Sequence, residues 1–87
     1  MDTYLMVRRD SDLMIVKIYV VPKELPQGVR FSQVIGKAFE KIHHDYSRQD
    51  YSLLIGDAYS PEDFLRSFPD WARGTTTSEV EEWSCAA

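Results

Sequence analysis

The nine residues "LMIVKIYVV", Leu13 to Val21, decide how this chain must fold. They are dominated by β-branched and aromatic side chains, and they are too few to span a membrane, so they read as a long β-strand. On an ideal strand, Met14, Val16, Ile18 and Val20 lie on one face. Leu13, Ile15, Lys17, Tyr19 and Val21 lie on the other, which is almost as apolar. A strand with one face in water alternates more cleanly, so this one requires cover on both sides. The C-terminal segment, a second copy of the chain and a partner are the candidate covers for the second face. Ile15, Tyr19 and Val21 are accordingly a candidate dimer or partner face, since left wet they form a contiguous apolar patch.

Upstream, Thr3 to Arg8 reads as a short strand, and "RDSD" (9–12) as the turn that joins the two strands into a hairpin. The turn lacks the Asn-Gly or Asp-Gly pair that marks a tight hairpin. Downstream, "PKELPQG" is a loop. Ser32 is positioned to cap a helix through "QVIGKAFEKIHH", whose buried face is expected at Ile35, Ala38, Phe39, Ile42 and Tyr46. Gly36 in this helix predicts a close approach to the sheet. "YSLLI" (51–55) reads as a third strand closed by Gly56 and Asp57.

The clearest local signal is "SPED" at 60–63. Ser60 caps a helix, Pro61 suits its first position, and Glu62 and Asp63 complement its positive end. Phe64, Leu65 and Phe68 then form a core stripe that ends before Pro69, and Trp71 falls at the rim of the core. The order β-β-α-β-α predicts an α+β fold, a small antiparallel sheet with helices packed on one face. Residues 1–74 form the domain, and 75–87 an acidic tail. Ser78 and Glu81 resemble a capping box there, for a short helix that Trp83 would dock.

The chain has 87 residues, 44% apolar and 13% aromatic, which suits one small domain with a single core. Its one cysteine, Cys85, forms no internal disulfide, and no basic segment followed by an apolar one opens the chain. The expected location is the cytoplasm, of the producing cell or of a host. The net charge of −4 is unevenly placed. Residues 1–55 carry eight Lys/Arg against seven acids. Residues 56–87 carry Arg66 and Arg73 against Asp57, Glu62, Asp63, Asp70, Glu79, Glu81 and Glu82. Such a balance disfavours direct contact with nucleic acid, which needs a basic footprint, and favours a protein partner with a basic surface.

Catalytic signatures are missing from the sequence. His43 and His44 are neighbours on a helix and point about 100° apart, and no Cys/His set has zinc spacing. The "DSD" at 10–12 lacks the remaining ligands of a calcium loop. No nucleophile elbow, phosphate loop or dinucleotide fingerprint is present. No cofactor and no metal are expected. What remains is an acidic third with aromatic anchors: Asp57, Glu62, Asp63, Asp70, Trp71, Glu79, Glu81, Glu82 and Trp83 form the candidate protein-binding surface. The expected function is a non-enzymatic binding module, a small inhibitor that occludes a basic, nucleic-acid-handling surface of a larger protein, of the kind phages and mobile elements encode. The alternatives are a structural homodimer or accessory subunit, and a small enzyme whose acids, such as Asp45 with Asp50, assemble in space.

Overall fold

The computed structural model describes residues 1–70 and the short strand at 80–82. Trp71, Ser78, Glu79, Trp83 and Cys85 lie outside the described residues. The elements are β1 (Asp2–Arg9), β2 (Met14–Val21), α1 (Phe31–Asp45), β3 (Tyr51–Ala58), α2 (Pro61–Ser67) and β4 (Val80–Glu82). The class is α+β with the expected β-β-α-β-α order. β1 runs antiparallel to both β2 and β3, and β4 adds a parallel partner beside β2, giving the order β3-β1-β2-β4. The short helix suggested for the tail finds no counterpart at 80–82, which is extended and pairs Ile18 with Val80.

Both faces of the long second strand are covered, each by a different helix. Leu5, Val7, Tyr19 and Val21 pack under Val34, Ala38 and Ile42 of α1. Tyr4, Met6 and Ile18 pack under Phe64 and Leu65 of α2, joined by Ala58. The helices therefore lie on opposite faces, and the one-face arrangement expected from the sequence is corrected. The physical reason is the composition of β1 and β2: two apolar faces offer two burial sites, and one helix cannot fill both.

An irregularity in the hairpin sorts these residues. Val7 pairs with Lys17, but Arg8 pairs with Ile15, so Val16 is an extra residue in β2. Such a bulge changes the alternation of side chains on its strand. Val16 accordingly joins Tyr19 and Val21 against α1, while Ile15 joins Ile18 and Val20 against α2. Ile15, Tyr19 and Val21 do not share a face. Tyr19 and Val21 are buried inside the chain, so the candidate dimer or partner face built from these three is corrected too. Lys17 turns its ammonium over the Tyr19 ring, 5.4 Å from the centroid.

Local chemistry sets the remaining boundaries. The hairpin turn runs one residue later than "RDSD" suggested, with Leu13 in the left-handed region at φ 60° and Met14 opening the strand. Asp12 holds this turn: it accepts from the Met14 amide at 3.2 Å and pairs with Arg9 at 2.7 Å. The later loop turns at Gly28, where φ is 84° and the Val29 amide reaches the Pro26 carbonyl at 3.1 Å, as a type II turn requires. α1 begins at Phe31 behind Arg30, not at a cap from Ser32, and no side chain caps it. Its most buried line is Val34, Ala38 and Ile42, whereas Ile35, Phe39 and Tyr46 flank the core half-buried.

The two glycines of interest exchange roles relative to expectation. Gly36 faces outward, and a Cβ built there meets no atom within 4 Å. Gly56 does not close β3, which continues to Ala58. Instead it lets the Phe64 ring approach the sheet, and a Cβ there would lie 3.0 Å from the ring edge. Gly36→Ala is expected to raise stability by about 0.5–1 kcal/mol, from helix propensity and a less flexible unfolded chain. Gly56→Ala is expected to lower it by about 1–3 kcal/mol, as overpacking does in a filled core. Urea denaturation of both variants checks the pair, and a neutral Gly56→Ala would show that α2 sits farther from the sheet.

Candidate protein-binding surface

α2 is a seven-residue helix, too short to persist without tertiary anchors. Two anchors fix it. The Ser60 hydroxyl accepts the Asp63 amide at 3.1 Å, as the sequence suggested, with Pro61 in the first turn. Beneath, Phe64 and Leu65 are buried, and the Phe64 ring lies 5.8 Å from that of Tyr4. Phe68 ends the helix outside the α region, one residue before Pro69, where the proline was expected to stop it. Phe68 is not a core residue, however. It is 37% exposed, with its ring 5.3 Å from Phe64, so the pair runs from the core to the surface. Tyr59, at the junction of β3 and α2, is 78% exposed.

The described acids of the C-terminal third separate into three places. Glu62 and Asp63 sit in the first turn of α2, and Asp70 is exposed just beyond the helix. Asp63 also accepts from Arg66 at 2.9 Å, a surface pair that helps hold the helix. Asp57 belongs to the other face of the sheet, where it accepts the Thr3 hydroxyl at 2.6 Å. Glu81 and Glu82 lie in β4 at the far edge, opposite Tyr19 and Val20 in register. Glu79, Trp71 and Trp83 fall outside the described residues. The segment 59–70 thus carries three of the candidate acids, Glu62, Asp63 and Asp70, together with the exposed rings of Tyr59 and Phe68.

The sheet beneath α2 responds to those acids. The Tyr4 phenol is held above its ordinary pKa by burial first, and then by the negative charges of Asp2, Glu62 and Asp63. Elsewhere, the histidines offer little. His43 stacks on Phe39 with centroids 6.2 Å apart, while the exposed His44 reaches Asp45 at 3.1 Å. Asp45 lies below the usual carboxylate range because His44 and Lys41 bond to it. Asp50 is tied to the Ser47 hydroxyl at 3.0 Å, and Asp10 to that of Ser52 at 2.7 Å. Among the described residues no three His, Cys, Asp or Glu side chains are grouped to hold a metal ion. None of the helices is long and apolar enough to cross a membrane, among the described residues.

Comparison with family models, curated proteins and solved structures finds no match to this chain. Its site must therefore be argued from its own residues. Open clefts are shallow. One of about 410 Å³ is lined by Met1, Thr3, Lys23, Phe31 and Asp57, and one of about 510 Å³ by Arg9, Asp10, Ser11, Gln49, Asp50 and Tyr51. Tyr59 was missed by sequence reasoning. The signal available was its place between a strand end and a capped helix, where a large apolar ring has no element of its own to cover it.

The Tyr4 environment gives a testable pH dependence. A phenol whose folded pKa is raised binds its proton more tightly in the folded state, so its contribution is complete below the unfolded value, about 10, and is lost as pH rises through the folded value. Wild-type stability is expected to fall on alkaline titration above about pH 10, and Tyr4→Phe to remove part of that slope. Urea midpoints measured across the alkaline range check this. Identical slopes in the two proteins would contradict the burial of the Tyr4 phenol in the folded chain.

Proposed function

We propose that this protein is a non-enzymatic binding module that covers a basic surface of a larger protein, with segment 59–70 as its contact. The observation that carries the reading is that the segment 59–70 exposes Glu62 and Asp70 and the rings of Tyr59 and Phe68 on and beside a helix fixed by the Ser60 cap and the Phe64 anchor. Aromatic rings supply contact area at small entropic cost, and acids around them steer a basic partner and set its orientation. A helix already held in place loses little freedom on binding. A basic surface of this kind is typical of nucleic-acid-handling proteins, and blocking one is the action of a small inhibitor such as phages and mobile elements use. We place this encounter in the cytoplasm of the producing or host cell.

The reading is confined to 59–70 and does not extend to Asp57, Glu81 and Glu82, which the fold sets elsewhere. The test uses charge reversal at Glu62 and Asp70 to Lys, and separately Tyr59→Ala, in the full chain. Each variant is expected to keep its fold, because none of the three side chains is buried. Proteins recovered from host lysate on the wild-type chain are expected to be lost on the charge-reversed one. With a recovered partner, charge reversal is expected to slow association and weaken its dependence on salt, and Tyr59→Ala mainly to speed dissociation. Unchanged kinetics in the charge-reversed variant at low salt would overturn the proposal.

A further inference from the structure

The sheet has two edges, and the chain treats them differently. β4 lies along the outer side of β2. β3, eight residues long, forms the other edge and pairs only with β1 among the described residues. Long strand edges are hazards that proteins blunt with lysine, proline, bulges or short length. β3 has none of these. Its sequence is "YSLLIGDA", and it pairs with β1 over eight consecutive positions without a register shift. Leu53 and Leu54 remain only half-buried, and Ile55 is 41% exposed, while Leu5, Met6 and Val7 on the neighbouring strand are fully buried.

Which backbone groups are open follows from the ladder. The Asp10 amide donates to the Asp50 carbonyl at 2.9 Å, and this pair continues the β1–β3 register. In an antiparallel ladder hydrogen-bonded pairs alternate with non-bonded ones. The amides and carbonyls of Ser52, Leu54, Gly56 and Ala58 therefore point to β1. Those of Leu53, Ile55 and Asp57 point to the open edge, as does the Tyr51 carbonyl, while the Tyr51 amide donates to the Ser47 carbonyl at 3.0 Å.

We propose that β3 pairs with β3 of a second copy of this chain, antiparallel across a twofold axis at Leu54. A second copy fits this edge because the strand is complementary to itself. This register sets Leu53 opposite Ile55 as a fully hydrogen-bonded pair, and Tyr51 opposite Asp57, where the Tyr51 carbonyl accepts the Asp57 amide. It sets Leu54 opposite its own copy and Ser52 opposite Gly56 as the closer non-bonded pairs. The central apolar residues Leu53, Leu54 and Ile55 then each meet an apolar residue. Charge fits as well: Asp57 is the one charged residue of β3, and it meets a tyrosine. The two Asp57 carboxylates lie about 20 Å apart along the strands, beyond the screening length of physiological salt. Moving the axis by one residue to Ile55 sets the Asp57 carboxylate opposite Leu53 and Leu54 opposite Gly56, so the apolar matching is lost. The pairing is independent of the contact proposed at 59–70.

Sedimentation equilibrium of the full chain, with Cys85→Ser to exclude adventitious disulfides, is expected to give a mass of twice 10.1 kDa. Ile55→Pro removes an amide that points outward and leaves the ladder to β1 intact, so a folded variant with a dissociation constant raised about tenfold or more is expected. In the Cys85→Ser background, Leu54→Cys is expected to oxidise to a covalent dimer, because non-bonded antiparallel pairs bring Cα atoms within disulfide range. Ser52→Cys is expected to stay reduced, since it faces Gly56. A mass of 10.1 kDa at all concentrations would overturn the proposal. So would a dimer indifferent to a folded Ile55→Pro, or one that Leu54→Cys does not cross-link more than Ser52→Cys. If Ile55→Pro does not fold, the two cysteine variants decide.

Discussion

Burial of β1 on both faces is the constraint on which the rest of this structure depends. Tyr4, Leu5, Met6 and Val7 are four consecutive buried residues, with successive side chains entering different cores. A strand in this position must have neighbours on both edges for its backbone and a layer over each face for its side chains. β2 and β3 supply the edges, and α1 and α2 supply the layers. The chain order then follows. α1 crosses over one face to carry the chain from β2 to β3, and α2 folds back over the other face as soon as β3 ends.

Two small features make this two-sided packing compatible with one sequence. The bulge at Val16 lets β2 send Val16, Tyr19 and Val21 to α1 and Ile15, Ile18 and Val20 to α2. Without the extra residue, the strand would deliver Ile15 and Val16 to the opposite layers. Gly56 then removes the one side chain that would keep Phe64 off the sheet. With Phe64 down and Ser60 capping, the outer side of a helix of only seven residues becomes a fixed surface. The 59–70 segment thus owes its geometry to a glycine on β3.

Much of this was legible in the residues, and what was not has identifiable causes. "SPED" specifies its helix start through hydrogen bonds local to four residues, and the observed cap is the one expected. The three long strands and their order follow from β-branched runs separated by loop residues. The demand of β2 for cover on both faces was also readable, but the choice of cover was not, because two helices can be placed on a sheet in several ways at similar local cost. A bulge shifts alternation without a sequence mark of its own, so Ile15 was assigned to the wrong face. Gly56 looked like a strand terminator because glycine serves equally for turns and for close approach. At the candidate site, net charge located the acidic third but not its division. Strand alternation sends Asp57 to the face opposite α2, and the register of β4 puts Glu81 and Glu82 at the far edge.

Native-state hydrogen exchange, read amide by amide, tests the two-sided burial of β1 most directly. If β1 is the shared wall of both cores, the amides of Leu5, Met6 and Val7 cannot open without losing both, and they will exchange only through global unfolding. The amides of Phe64 and Leu65 in α2 will exchange faster, through release of one layer alone. Exchange of the β1 amides as fast as those of α2, by local opening well short of global unfolding, would contradict the account.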